Sequence, residues 1–174
     1  MNMIIIDNFL PYPHVVREWA LQQQYFDCKE TSKIQGKETT WPGVRTNVIV
    51  DLDKQYADDV LSKISYLSST FFGIPESCGI RSCFQVTTSK DGDSWIHKDD
   101  VGVVAGLLYL TPDPPPDSGT IIYTPPPHLE HDIVGNSFNR LLLYSANAYH
   151  KSNKYFGDNL RNGRLTQLFF VSMN

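Results

Sequence analysis

From residue 80 onward the chain breaks into short runs rich in β-branched and aromatic residues. They are RSCFQVTT (81–88), DSWIHK (93–98), VVAGLLYLT (103–111), GTIIYT (119–124), NRLLLYSA (139–146) and RLTQLFFV (164–171). Turn-formers divide them: KDGD, DPPPDSG, TPPP, VGNSFN and FGDNLRNG. At least six strands at this spacing predict an antiparallel barrel or a jelly-roll sandwich. The first 75 residues follow a different grammar. MIII (3–6) reads as a short strand. Val15, Val16, Trp19, Ala20 and Leu21 recur at helical spacing behind Pro13, which suits a first helical position. Asp53 caps a second predicted helix to about Phe72, with Tyr56, Val60, Ile64, Leu67 and Phe71 on one face and Gly73 and Pro75 ending it. The expected fold is α+β but mostly β: two N-terminal helices (about 1–75) flanking a jelly-roll, cupin-like core (about 80–174), in one domain over 1–174.

Size and charge narrow the function. A chain of 174 residues can bury its own core. Its net charge of −4 argues against binding nucleic acid through the phosphate backbone. Three cysteines, Cys28, Cys78 and Cys83, make neither a disulfide framework nor a cysteine zinc site, and point to a reducing, cytoplasmic setting. MNMIIIDNFL lacks the basic start of a signal peptide, and no apolar run approaches the length of about 20 residues that spans a membrane.

The chemistry-bearing stretch is WIHKDD (95–100). In an extended segment residues i and i+2 share a face, so His97 and Asp99 stand side by side with Lys98 turned away. The pair alone is weak evidence, and reads as a surface ion pair more readily than as part of a metal site. His150, at the end of the apolar run LLLYSANAYH, supplies a third ligand if two strands cross one cavity. Two imidazoles and one carboxylate with open positions opposite form the facial triad of non-haem Fe(II) oxygenases. Asp100 breaks the strand phase, which favours Asp99. In NGRLTQLFFV (162–171), Arg164 and Thr166 share one face, and Leu165, Gln167 and Phe169 the other. A buried guanidinium needs an anion and pairs with carboxylate in a two-pronged fork. Facing the cavity of His150, Arg164 and Thr166 make a carboxylate clamp; at the strand edge, Arg164 would pair with a fixed acid.

In order and content these motifs resemble the Fe(II)/2-oxoglutarate-dependent oxygenases, the prolyl-hydroxylase-like members above all. His97-x-Asp99 comes first, then GLLYLTPD and DSGTIIY, then His150, then G-R-L-T. IIIDNFLPYPHVVREWA and WPGVRTN look like an uncharacterised group within this superfamily, so the resemblance covers nearly the whole chain. It implies that His97, Asp99 and His150 hold Fe(II), and that Arg164 with Thr166 holds the far carboxylate of 2-oxoglutarate as cosubstrate. It implies oxidative decarboxylation to succinate and CO2 coupled to hydroxylation. The carboxylate at Asp99 implies hydroxylation rather than halogenation. There are departures. Arg161 lies nearer the usual spacing from the last histidine, but Arg164 has Thr166 in phase. The tyrosine expected before the His-x-Asp motif is not evident, since CFQV offers Phe84 and Gln85.

Other candidates divide. His128 and His131 flank Glu130 in PPPHLEH and read as a polar surface loop rather than a second metal site. His14 reads as a helix-start residue. Arg45 is a strand-edge arginine or an anchor for a substrate carboxylate or phosphate. Trp41, Trp95 and Tyr109 read as core aromatics rather than pocket walls. Gln85 and Asn147 read as buried amides bonded to backbone. The proline-rich stretches 111–120 and 124–131 are stiff edge-protecting turns or a rim around a pocket mouth. A non-catalytic cupin-like binding module and an iron dioxygenase using no oxo acid are the competing functions. Substrate candidates are a small molecule, a protein side chain or a modified nucleotide.

Overall fold

The computed structural model describes residues 3–36, 38, 40–99 and 102–173. Local chemistry sets the helix ends. Pro13 opens α1 (Pro13–Leu21), where its missing N–H costs nothing. The Asp27 carboxylate accepts from the Glu30 N–H, and the Glu30 side chain accepts from the Asp27 N–H, a capping box that opens α2 (Cys28–Gln35). A short α3 (Ile49–Leu52) leads into α4 (Lys54–Phe72). Asp53 caps α4 by accepting from the Tyr56 N–H, and Gly73 ends it at φ +69°, a left-handed conformation that glycine adopts without strain.

Among the described residues nine strands follow in order: β1 (Met3–Ile6), β2 (Val44–Arg45), β3 (Gly79–Thr87), β4 (Val104–Tyr109), β5 (Thr120–Tyr123), β6 (Glu130–Val134), β7 (Leu141–Ser145), β8 (Tyr149–Ser152) and β9 (Arg164–Ser172). Six form a sheet in the order β1-β7-β4-β9-β3-β2, and three form a second sheet, β6-β5-β8. Every pairing is antiparallel.

Period-two alternation sorts the large sheet into two faces. Phe84, Val86, Leu108, Leu143, Leu165, Phe169 and Val171 pack with Ala57, Val60 and Ile64 of α4 and Ala20 of α1. Each fully buried large apolar side chain there contributes about 1.5–3 kcal/mol. On the other face Cys83, Ala105, Leu107, Tyr109, Leu142, Tyr144 and Leu168 join Ile122 and Val134 of the small sheet. The layers are therefore helices, large sheet, small sheet: a mostly β, antiparallel architecture.

Several expectations change. Among the described residues four α-helices stand where two were expected. α2 was missed because CKETSKIQ has no apolar stripe; its capping box, not burial, defines it. α4 faces the core through Ala57, Val60, Ile64 and Ser68, while Phe71 is half exposed. The run 93–98 forms no strand: it makes one antiparallel bridge, His97 to His150. LLLYSANAYH is not one strand but β7 and β8, in different sheets, joined by a turn at Ala146–Ala148. The end of the loop at 124–131 opens β6, paired to β5 on its exposed edge.

Candidate metal and anion site

His97, Asp99 and His150 come together, their ligand atoms all within 4.8 Å of one another, and no other such group occurs among the described residues. The joint is backbone pairing. The His97 N–H donates to the His150 carbonyl at 3.0 Å, and the His150 N–H returns to the His97 carbonyl at 2.8 Å. The Asp99 N–H donates to Ala146 at 3.2 Å. An extended stretch pinned at these points keeps the i, i+2 geometry without a full strand. Asp100, the competing ligand, lies outside the described residues.

Each histidine is also oriented. Nδ1 of His97 lies 2.9 Å from the Trp95 carbonyl, and Nδ1 of His150 lies 3.0 Å from the Ala148 carbonyl. A carbonyl only accepts, so each Nδ1 carries the proton and each Nε2 keeps its lone pair for a metal. Burial pushes the His150 imidazole below its ordinary value; Asp99 opposes that shift and His97 adds to it. The neutral form, which ligates metals, is favoured. Tyr144 packs edge-on against His150 at 4.8 Å.

The second half of the site lies on β9. Arg164 and Thr166 are buried on the cavity face. The Arg164 Nε donates to the Ser118 carbonyl at 3.0 Å, but its Nη2 is shut from solvent with no acceptor. The Thr166 hydroxyl and the Thr87 hydroxyl, opposite Arg164 in the β3–β9 register, are also buried and unbonded. The Tyr109 ring lies 5.3 Å from the guanidinium carbon, and its hydroxyl is 2.8 Å from the Thr120 hydroxyl. No fixed acid pairs with Arg164 among the described residues. Arg161 does have one: its exposed side chain pairs with Glu18 at 3.0 Å. The proline-rich stretch 111–120 is thus more than an edge turn, because its Ser118 carbonyl steadies Arg164. Gly119 must be glycine, since a Cβ there would lie 1.9 Å from the Val134 carbonyl oxygen. The triad and Arg164 open into one cavity of about 490 Å³, within the range of about 300–1,000 Å³ typical of small-molecule sites.

No protein-family model and no curated protein matches the chain. Solved structures do. A prolyl-4-hydroxylase from Pseudomonas putida aligns over 99% of this chain and 93% of its own, with TM-score 0.65 and 17% identity. An oxidoreductase of the 2OG-Fe(II) oxygenase family from Burkholderia pseudomallei aligns over 98% and 84%, with TM-score 0.66 and 10% identity. HygX from Streptomyces hygroscopicus, solved with nickel and 2-oxoglutarate bound, aligns over 99% and 83%, with TM-score 0.67 and 10% identity. The chain has the fold of the 2-oxoglutarate/Fe(II) oxygenases.

Within this oxygenase fold the other histidines join no metal-holding group among the described residues, whereas Trp41, Gln85 and Trp95 line the cavity of the triad. His131 is exposed and pairs with Asp132 at 2.7 Å. His128 packs edge-on against Tyr149 at 4.4 Å, and the His14 ring lies tilted against Phe138 at 4.6 Å. Gln85 donates to the Pro42 carbonyl at 2.7 Å, an amide bonded to backbone as expected. Asn147 is exposed, because the turn between β7 and β8 carries it outward. Trp95 is also exposed and Trp41 lines the cavity, so neither is a core aromatic; Tyr109 is fully buried. No helix among the described residues is long and apolar enough to cross a membrane. The sequence reading missed Thr87 and the placement of Tyr109 beside Arg164. Strand phase carried a signal: Cys83, Gln85 and Thr87 alternate as Arg164 and Thr166 do. Only the register of β3 against β9 says that the two faces coincide.

Proposed function

We propose that the chain is a mononuclear non-haem Fe(II)/2-oxoglutarate-dependent oxygenase, a hydroxylase. The observation that carries this is a pair of features in one cavity: three ligand atoms within 4.8 Å, and a buried guanidinium with an unbonded Nη2. His97, Asp99 and His150 would hold the iron through two Nε2 atoms and a carboxylate oxygen. Arg164 and Thr166 would hold the far carboxylate of 2-oxoglutarate, and Tyr109, on β4 and so after the His-x-Asp motif rather than before it, flanks the guanidinium. When bound, iron and 2-oxoglutarate supply the oxidising power, with O2, for attack on a substrate C–H bond. The protein contributes oriented ligands, a walled cavity and the clamp. A metal-holding module would have no use for a guanidinium left without an anion.

The finer architecture that fits the two sheets is a double-stranded β-helix, built as one domain over residues 1–174. Prolyl-4-hydroxylase neighbours support a peptide side chain or a small molecule as substrate. Cysteines outside any disulfide fit a reducing, cytoplasmic setting. The test is an anaerobic titration with Fe(II) and then 2-oxoglutarate, followed by visible absorption. A metal-to-2-oxoglutarate charge-transfer band is expected in the wild type and lost in Asp99→Ala, and His97→Ala should abolish turnover. Absence of the band from folded wild-type protein would leave a non-catalytic binding module. Iron binding without any 2-oxoglutarate response would point to a dioxygenase that needs no oxo acid.

A further inference from the structure

Arg45 occupies the same cavity and is also unpaired. Its backbone is fixed on both sides: it exchanges hydrogen bonds with Phe26 at 2.9 and 2.8 Å, and it pairs with Gln85 across β2–β3. Its guanidinium carbon lies 4.5 Å from the centre of the Trp41 ring and 5.9 Å from that of Phe170. Its Nε is shut from solvent with no acceptor, and so is the indole Nε1 of Trp41. No ion pair among the described residues includes it. The guanidinium is half-buried and feels the Asp99 carboxylate across the cavity, but its enclosed Nε and the Trp41 indole N–H have no acceptor, and each such donor is costly.

The charge of the cavity reverses that of the chain. The chain carries −4, yet the described cavity wall holds Arg45, Arg81, Lys98 and Arg164 against Asp99, four cations to one carboxylate. Under the reading proposed above, the two positive charges of Fe(II) and the two negative charges of 2-oxoglutarate cancel, so the surplus remains. Arg164 and Arg45 stand on strands that are not neighbours. β3 separates β2 from β9, which puts their backbones about 10 Å apart at the usual strand spacing.

We infer that Arg45, with the Trp41 indole N–H, forms a second anion subsite that holds a carboxylate of the substrate itself. This rests on the oxygenase reading for the word substrate, but not for the subsite. Aromatic rings flank the guanidinium and leave its edge as the binding surface, which matches a planar carboxylate with two acceptor oxygens. The substrate class is thus a small carboxylate, seated in the same cavity as the iron ligands.

The probes are benzoate, its neutral counterpart benzamide, and phenyl phosphate. They are titrated by ligand-observed NMR into metal-free protein, and again with Zn(II) and saturating 2-oxoglutarate present to engage Arg164. Benzoate should bind saturably and benzamide should not. Arg45→Met should weaken benzoate by about tenfold or more, as expected for a lost charge-assisted pair. Arg45→Lys should fall between, and serves as the folded control if Arg45→Met does not fold. The 2-oxoglutarate requirement of the Arg45 variants should stay within about twofold of wild type, because the two sites share no partner. The inference falls if wild type fails to bind benzoate, if benzamide binds as well, if folded Arg45 variants bind as wild type does, or if 2-oxoglutarate affinity collapses with Arg45. Tighter binding of phenyl phosphate than of benzoate would reassign the subsite to phosphate and overturn the carboxylate. Arg45-dependent benzoate binding without a charge-transfer band would sink the oxygenase reading alone. A band lost in Arg164→Ala, with no Arg45-dependent binding, would sink this inference alone.

Discussion

On the helix-facing side of β9, both ends of the Gln167 amide are engaged. The Tyr56 hydroxyl donates to its Oε1 at 2.6 Å, and its Nε2 donates to the Ser82 hydroxyl at 3.1 Å. One residue away on the cavity side, the Thr166 hydroxyl and the Arg164 Nη2 are equally buried and have no partner. Both faces of the strand are closed to water, so exposure does not distinguish them. What differs is saturation. On this strand the helix-side amide has its partners within the protein, whereas the cavity-side groups are left open, as groups that serve a ligand would be. Arg161 and Arg164 repeat the lesson: the exposed arginine has its acid in Glu18, and the buried one has none.

That contrast can be broken by substitution. Arg164→Met should have the largest effect on the cavity side, raising the 2-oxoglutarate requirement by about 2–5 kcal/mol of binding, roughly 30-fold or more. Its stability against urea should change little, since the bond to the Ser118 carbonyl and the contact with the Tyr109 ring are lost while an unsatisfied buried charge is removed. Wild-type behaviour in a 2-oxoglutarate titration would remove Arg164 from the clamp. On the helix side the expectation reverses. Gln167→Leu leaves the Tyr56 and Ser82 hydroxyls stranded and should cost about 1–3 kcal/mol of stability, with 2-oxoglutarate affinity unchanged. A folded Gln167→Leu protein that loses 2-oxoglutarate instead would erase the distinction between the faces. Thr166→Val sharpens it. The hydroxyl has no partner to abandon, so denaturation should show no loss, while 2-oxoglutarate binding weakens by about 0.5–1.5 kcal/mol.

The smallest expected effect belongs to neither face. Arg140 grips Asp7 with Nε at 2.6 Å and Nη2 at 2.9 Å, and this hydrogen-bonded pairing holds the Asp7 carboxyl below its ordinary value of 3.8. A depressed carboxyl stabilises the folded state above its unfolded value and ceases to do so as pH falls through the lower folded value. Asp7→Asn should therefore cost well under about 1 kcal/mol at pH 7, since Asp7 is exposed, and the gap to wild type should close below pH 3.8. Urea melts at pH 7 and pH 3 measure it; a gap that persists at low pH would mean that charge is not its source.

Much of the site could be read from phase alone. His97 and Asp99 sit two apart, and Arg164 and Thr166 sit two apart, and extended backbone puts each pair on one side whatever else the chain does. The same locality explains why Pro13, Asp53 and Gly73 marked helix ends correctly. Where phase was applied without register, the reading failed. DSWIHK carried a strand-like pattern but paired at one residue only, and LLLYSANAYH looked continuous until its two ends entered different sheets. α2 escaped because it is held by a capping box on a polar segment, not by an apolar stripe.

The sequence by itself determined which side chains could act together in pairs, because backbone geometry over two or four residues depends on nothing distant. Tertiary structure alone decided which pairs meet. His97 faces His150 through two backbone hydrogen bonds, Thr87 faces Arg164 across β3–β9, and the Ser118 carbonyl reaches Arg164 from another loop. Arg45 and Arg164 open into one cavity for the same reason. Those meetings depend on strand register, and register is selected by burying both faces of the large sheet at once, against the helices on one side and the small sheet on the other. A slip of one residue would turn the Arg164 face toward the helices and the Phe169 face toward the cavity.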